Sequence, residues 1–354
     1  MRITIFAVGD RDARDTSTVL GTELDRRGHN VILVAPDTPT TMRTTLELLV
    51  NAAAGADLIV SALHTQDEAS CLAEAAGVPM VALHLEPGLD ESAFSPARGG
   101  GPRFPRSLAR VLQNGRANAD WAPDAHHING FRARLGLSPT ARSATNRMRR
   151  AGTVEIQAYS RLLVPPLVEW DERRPLVGFV SDSEAPLPTG AWVGGDEIFV
   201  DVALEPAVHD AVERVAARSG DRVVRGRADH VRLDGARMAV HPGSAATTAA
   251  VARAGIPSMV LSQSRAQAFW GRSVRDRGVG DWLELADLAD ETLERAIRPL
   301  LSAETRRRAA GLRAALLAET AVADAVRIIE DAASGPSSRS GAARDVGRPA
   351  VTTR

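Results

Sequence analysis

The stretch HPGSAATTAAVARAGIP occupies residues 241–257. The apolar run RMAV leads into it, and IPSMVLSQ follows at 256–263. Between the two runs, ATTAAVARAG reads as a helix ended by Gly255, a residue suited to the left-handed position just past a helix. Strand, tight turn, helix and strand in that order form the repeat of a parallel sheet covered by helices. The start of such a helix presents unpaired N–H groups and a positive dipole end, which suits an anion and above all a phosphate. Gly243 permits close backbone approach, Ser244, Thr247 and Thr248 offer hydroxyls, and His241 is a further donor. A plain βα turn capped by Ser and Thr is the other reading of the same residues.

The same alternation extends in both directions. RITIFAV (2–8), HNVILVAP (29–36), ADLIVSAL (56–63) and VPMVALHL (78–85) read as strands. Helical spacing separates them at 17–28, 40–55 and 67–77. A second series opens with the strand EIFVDVAL at 197–204 and the helix at 206–220. Near-continuous Val/Ile/Leu strands between amphipathic helices predict parallel sheets buried on both faces. Residues 86–107 are Pro- and Gly-rich without periodicity and read as a long loop, and 334–354 read as a disordered tail. The expected domains are 1–165, a linker at 166–196, and 197–333. In doubly wound sheets ligands bind beyond the carboxyl ends of the strands, which here means a cleft between two domains.

Composition narrows the function. Of 354 residues, 44% are hydrophobic and 25% charged, and the formal net charge is −1, so nothing draws the chain electrostatically to nucleic acid or an anionic membrane. Every basic residue other than histidine is Arg. Cys71 is the only cysteine, which excludes an intrachain disulfide and a cysteine-based zinc site and fits a reducing, cytoplasmic setting. No run approaches the ~20 apolar residues needed to cross a bilayer. No metal and no cofactor is expected.

The motif has relatives. VHPGSAATTAAVARAGIPSMVLSQSRAQAFWGRSVRDRGVG (240–280) resembles the nucleotide-sugar signature of family 1 glycosyltransferases of the GT-B fold, in which HHGGAGTT or HHGSAGTT is followed by AGVP, a strand, DQPFWG and GVG. VGDRDARDTSTVLGTELDRRGHNVILVAP (8–36) resembles the family's opening, and INGFRARLGLSP (128–139) and YSRLLVPPLVEW (159–170) resemble later pieces, so the likeness spans about 1–330. It implies two Rossmann-like α/β domains facing a cleft, the donor held by the C-terminal one and the acceptor by the N-terminal one, with a C-terminal helix crossing back to the first. The implied activity is inverting transfer of a hexose from a UDP- or TDP-sugar to a hydroxyl of a small hydrophobic acceptor.

Carried over residue by residue, the resemblance assigns His241, Gly243, Ser244 and Thr247 to the donor diphosphate and Gln267 to the donor sugar. It also exposes substitutions. Pro242 stands for the second histidine, Ala246 for the glycine before the threonines, and Ala266 for the carboxylate that grips sugar hydroxyls. The aspartate proposed as base in some relatives falls on Ala13, leaving Asp10 and Asp12 as candidate bases, with Asp15 nearby. His64, His84 and Glu86 sit at strand ends on the expected cleft side. EIFVDVALEP lacks the family's Gly-Ser pair. The competing reading is a degenerate relative that binds a nucleotide, a metabolite or a protein partner without turnover.

Overall fold

The computed structural model describes residues 1–9, 11–36, 42–87, 115, 119, 121–167, 170–181, 197–228, 233 and 235–334. The candidate base Asp10, most of the loop expected at 86–107, part of the linker and the tail from 335 lie outside the described residues.

Two parallel five-stranded sheets carry the chain. The first contains β1 (Arg2–Phe6), β2 (Asn30–Val34), β3 (Leu58–Ala62), β4 (Met80–His84) and β5 (Val154–Gln157), in the order β2-β1-β3-β4-β5. The second contains β6 (Glu197–Asp201), β7 (Arg222–Gly226), β8 (Met238–His241), β9 (Ser258–Ser262) and β10 (Gly280–Glu284), in the order β10-β9-β8-β6-β7. Numbered within its own half, each sheet has the order 2-1-3-4-5. Each therefore reverses winding direction between its first and third strands, and that reversal opens a crevice at the strands' carboxyl ends.

Strand periodicity explains the layers. Ile3, Ile5, Leu58, Val60, Val81 and Leu83 face one side of the first sheet. Helix α1 (Arg11–Arg26) covers that side with Leu20 and Leu24. The alternate residues Phe6, Ile59, Met80 and Ala82 face the other side, under α2 (Met42–Ala53), α3 (Gln66–Ala76), α4 (Ala125–Arg134) and α5 (Ala144–Ala151). Each fully buried Leu or Ile stabilises the fold by roughly 1.5–3 kcal/mol. In the second half, Ile198, Val200, Met238 and Val240 pack against α6 (Pro206–Ser219) and α9 (Asp290–Leu300). Helices α7 (Ala245–Ala254), α8 (Arg265–Asp276) and α10 (Ala303–Leu316) contribute to the opposite face.

One boundary departs from the segments read along the chain. Helix α1 begins at Arg11, not near residue 17. Its buried stripe runs through Ala13, Thr16, Ser17, Leu20, Gly21 and Leu24, an i, i+3, i+4 pattern that starts before the apolar residues do. Small and hydroxyl residues hid the first turns. Helix α11 (Ala321–Ser334) packs on α1, and its Ala325, Val326 and Ile329 complete the first domain's core.

The two halves meet on an aromatic cluster. Tyr159 and Phe179 lie against Trp270 with ring centroids 6.0 and 5.8 Å apart, and Phe269 meets Trp270 edge-on at 5.2 Å. All four rings are buried. Phe269 and Trp270 follow the Ala266-Gln267 pair, so the helix that carries the candidate sugar contact is fixed by the domain contact.

Candidate functional site

The turn singled out in the sequence closes as a capped helix start. Ser244 is extended and is the N-cap of α7, its Oγ accepting from Thr247 N at 3.1 Å. Gly243 has φ +89°, and a Cβ there would lie 2.6 Å from Val260 Cγ1 and 3.0 Å from the Gln267 carbonyl oxygen. Glycine is thus required twice, by its backbone conformation and by the packing of the turn onto β9 and α8.

A carboxylate already occupies this helix start. Asp12, in the first turn of α1, accepts a hydrogen bond from Ala246 N at 3.0 Å, across 234 positions of chain and from the other domain. The first-turn N–H groups of α7 have no intrahelical acceptor, and an anionic oxygen is their natural partner. Sequence reading placed Asp12 in a loop as a candidate base. The structure places it on the helix start that was assigned to the donor diphosphate.

His241 is fully buried at the end of β8, its Nε2 2.9 Å from Ser258 Oγ. Its Nδ1 has no hydrogen-bond partner among the described residues. Burial lowers its pKa to about 3, so the ring is neutral at physiological pH. It sits behind the turn and does not line the cleft, whereas Gly243 and Ser244 do. Thr247 is half-buried and gives its N–H to the Ser244 cap. Gln267 lines the cleft, and its Oε1 accepts from Gln263 N at 2.7 Å. Gln263 in turn donates from Nε2 to Glu205 Oε1 at 2.8 Å.

The cleft is a cavity of about 640 Å³ between the carboxyl ends of the two sheets. Its second-domain wall includes Gly243, Ser244, Ala266 and Gln267. Its first-domain wall combines apolar Leu63, Leu83, Leu85 and Trp121 with Asp12, His64, His84 and Glu86. Asp67 borders it too. Burial pushes this carboxyl up, against the opposing pull of the Arg147 guanidinium 2.9 Å away.

One group of residues escaped sequence reading. Glu155, on β5, and Arg174 pair at 2.8 Å on the cavity wall, and His84 Nε2 lies 3.5 Å from the same Glu155 oxygen. All three are more than 90% buried. His84 alone was noticed in the sequence. Its partners lie 71 and 90 positions away and join it only because β4 pairs with β5 and the chain after β5 runs back alongside. No local spacing signals that. Among the described residues, no group of three or more His, Cys, Asp and Glu side chains is placed to hold a metal ion. No helix among them is long and apolar enough to cross a membrane.

No protein-family profile matches the chain. A search of curated proteins finds an uncharacterized glycosyltransferase of Mycobacterium bovis, 30% identical over 326 residues, covering 81% of this chain and 76% of that protein. It also finds the O-mycaminosyltylonolide 6-deoxyallosyltransferase of Streptomyces fradiae, 25% identical, covering 94% of this chain and 97% of that one. Among solved structures, the glycosyltransferase VinC in complex with dTDP superposes with a TM-score of 0.63 at 16% identity, covering 94% of this chain and all of that one. Two 2-1-3-4-5 sheets facing one cleft, with a helix crossing back to the first, agree with that likeness. With the M. bovis relative sharing identity across most of its length, the chain belongs to the glycosyltransferases, as a family 1-like member with the GT-B fold.

Proposed function

We propose that this glycosyltransferase moves a hexose from a UDP- or TDP-sugar to a hydroxyl of a small, largely apolar acceptor, with inversion at the anomeric carbon. The observation that carries the donor half is the Asp12 carboxylate on Ala246 N, because it marks the α7 start as a place where an anionic oxygen is held and faces the other domain. A donor diphosphate entering there takes the place of that carboxylate. Gly243 and Ser244 then shape the backbone around it, and Gln267 is within the same cavity for the sugar. His241 acts from behind, fixing the end of β8 against Ser258. The acceptor half is supported by the Leu63, Leu83, Leu85 and Trp121 wall.

A second reading has its own observation. Asp12 sits on the α7 start proposed for the donor's phosphates, and Glu205 accepts from Gln263, whose N–H is held by Gln267. A chain in which these contacts are permanent binds no nucleotide sugar. Calorimetric titration of UDP and dTDP separates the two. Binding that Gly243→Ala weakens at least tenfold, about 1.4 kcal/mol, supports the transferase. No binding of either nucleotide at millimolar concentration overturns it and leaves the degenerate reading.

A further inference from the structure

Transfer to a hydroxyl requires a group that takes its proton. Ala13 has no such group, and Asp12 is engaged by the other domain's helix. We infer that His84, backed by Glu155 and Arg174, is the base that activates the acceptor. The inference rests on the transferase reading above and adds a residue to it.

Four observations carry it. His84 ends β4 at the carboxyl edge of the first sheet and lines the shared cavity next to Leu83 and Leu85, on the apolar wall. One ring nitrogen, Nε2, faces the Glu155 carboxylate at 3.5 Å, so the imidazolium formed by proton uptake is stabilised where it forms. Arg174 holds that carboxylate at 2.8 Å and balances its charge, so a neutral ring beside the pair leaves the cluster uncharged. All three are buried, where such charge interactions are strong. An ion pair that served only to brace β5 against the following segment has no need of an imidazole beside it on a cavity wall. Backbone bonds from Glu155 N to Arg173 O and from Gln157 N to Pro175 O, 2.8 and 2.9 Å, already make that brace.

The other charged or titratable groups lining the same cavity are Glu86, beyond the end of β4, and, on other elements, His64, Asp67, Asp124 and Asp12. Helix α11, also packed on β4, adds the apolar Ala325, Val326 and Ile329 to the core there. The acceptor oxygen forms its bond to the anomeric carbon as its proton passes to the His84 ring. The bond from that carbon to the diphosphate oxygen breaks, and the electron pair leaves with the nucleoside diphosphate. The imidazolium later loses its proton to water.

The test uses the whole chain, UDP-glucose and dTDP-glucose as donors, and 4-methylumbelliferone or water as acceptor. His84→Gln is expected to lower kcat by about 100-fold or more, to leave the donor KM and the UDP and dTDP affinities within twofold, and to remove the acid limb of the pH profile. His64→Gln is expected to retain that limb. Retention of the limb in His84→Gln, or its loss in His64→Gln instead, overturns the inference. A second measurement does not depend on turnover. In histidine-selective ¹⁵N spectra, the His84 signal, assigned by its absence in His84→Gln, is expected to titrate, with a midpoint about one pH unit lower in Glu155→Gln. Where the lone Arg174 charge unfolds that variant, Arg174→Met replaces it, and the His84 midpoint is then expected to rise. A ring that does not titrate, or a midpoint unmoved by loss of Glu155, overturns the inference even if no acceptor is accepted. Failure of UDP and dTDP to bind overturns the transferase reading separately.

Discussion

Removing the Asp12 carboxylate should tighten nucleotide binding. In the proposed donor site, Asp12 and a donor phosphate compete for Ala246 N, at the positive end of α7. A charge at a helix N-terminus with one charge-assisted hydrogen bond is worth about 1 kcal/mol in a half-exposed setting. That energy favours the occupied state about fivefold, so roughly one molecule in six has an open helix start, and the apparent Kd is about sixfold above its intrinsic value. Asp12→Ala removes the competitor, and calorimetry with UDP and dTDP should read a Kd about sixfold lower. Asp15→Ala is the control, because it deletes the same charge from the same helix at an exposed residue paired with Arg11. Its Kd should stay within twofold of wild type. An unchanged or weaker Kd in Asp12→Ala refutes the reasoning, since the carboxylate and phosphate would then not share a donor. Equal tightening in both variants refutes it differently, by showing that only net charge matters.

Further predictions come from the turn and the domain contact. His241, with its pKa lowered to about 3 by burial, binds no proton in the folded chain while the unfolded chain takes one below about 6.5. Its contribution to stability is therefore full above pH 6.5 and is lost as pH falls toward 3, by about 1.4 kcal/mol per unit. Calorimetric unfolding from pH 7 to 5 should show a shallower decline in Tm for His241→Asn than for wild type. Gly243→Ala places a Cβ 2.6 Å from Val260 Cγ1 at a positive φ and should cost about 1–3 kcal/mol. Adding Val260→Ala should relieve the contact and leave the backbone strain, so thermal melts should show partial rescue only. Trp270→Ala, which empties the aromatic cluster between the halves, should cost about 3–5 kcal/mol and open the chain after Tyr159 to limited proteolysis.

How much of this was legible in the sequence follows from what each feature depends on. The inner strands were readable because burial on two faces demands continuous apolar runs, as in LIVSA at β3 and SMVLS at β9, each buried at every position; the edge strands VEIQ at β5 and GDWLE at β10 carry polar residues and were not read. The capped turn at Gly243 and Ser244 was readable because a cap is local: Ser244 needs only the N–H three residues on. The start of α1 was not, because Ala13, Thr16 and Ser17 are small or polar yet buried. The place of His241 was not, because β8 is buried at all four positions, and a histidine ending such a strand carries no mark of which side its ring takes.

The site's charges were the least legible part, for a different reason. Asp12 meets Ala246 only because the two domains close against each other through Tyr159, Phe179 and Trp270, and no spacing within either domain encodes that closure. A carboxylate counted along the chain as one residue away from the base position is, in space, the partner of a helix start in the other half. While the contact stands, one oxygen of that carboxylate is committed to Ala246 N and the side chain is aimed at the α7 start, so Asp12 is a poorer replacement for the base position at Ala13. The inferred base stands instead at the carboxyl edge of β4. There, a histidine with a buried carboxylate behind it lines the cavity, and its place is set by strand pairing within the first domain.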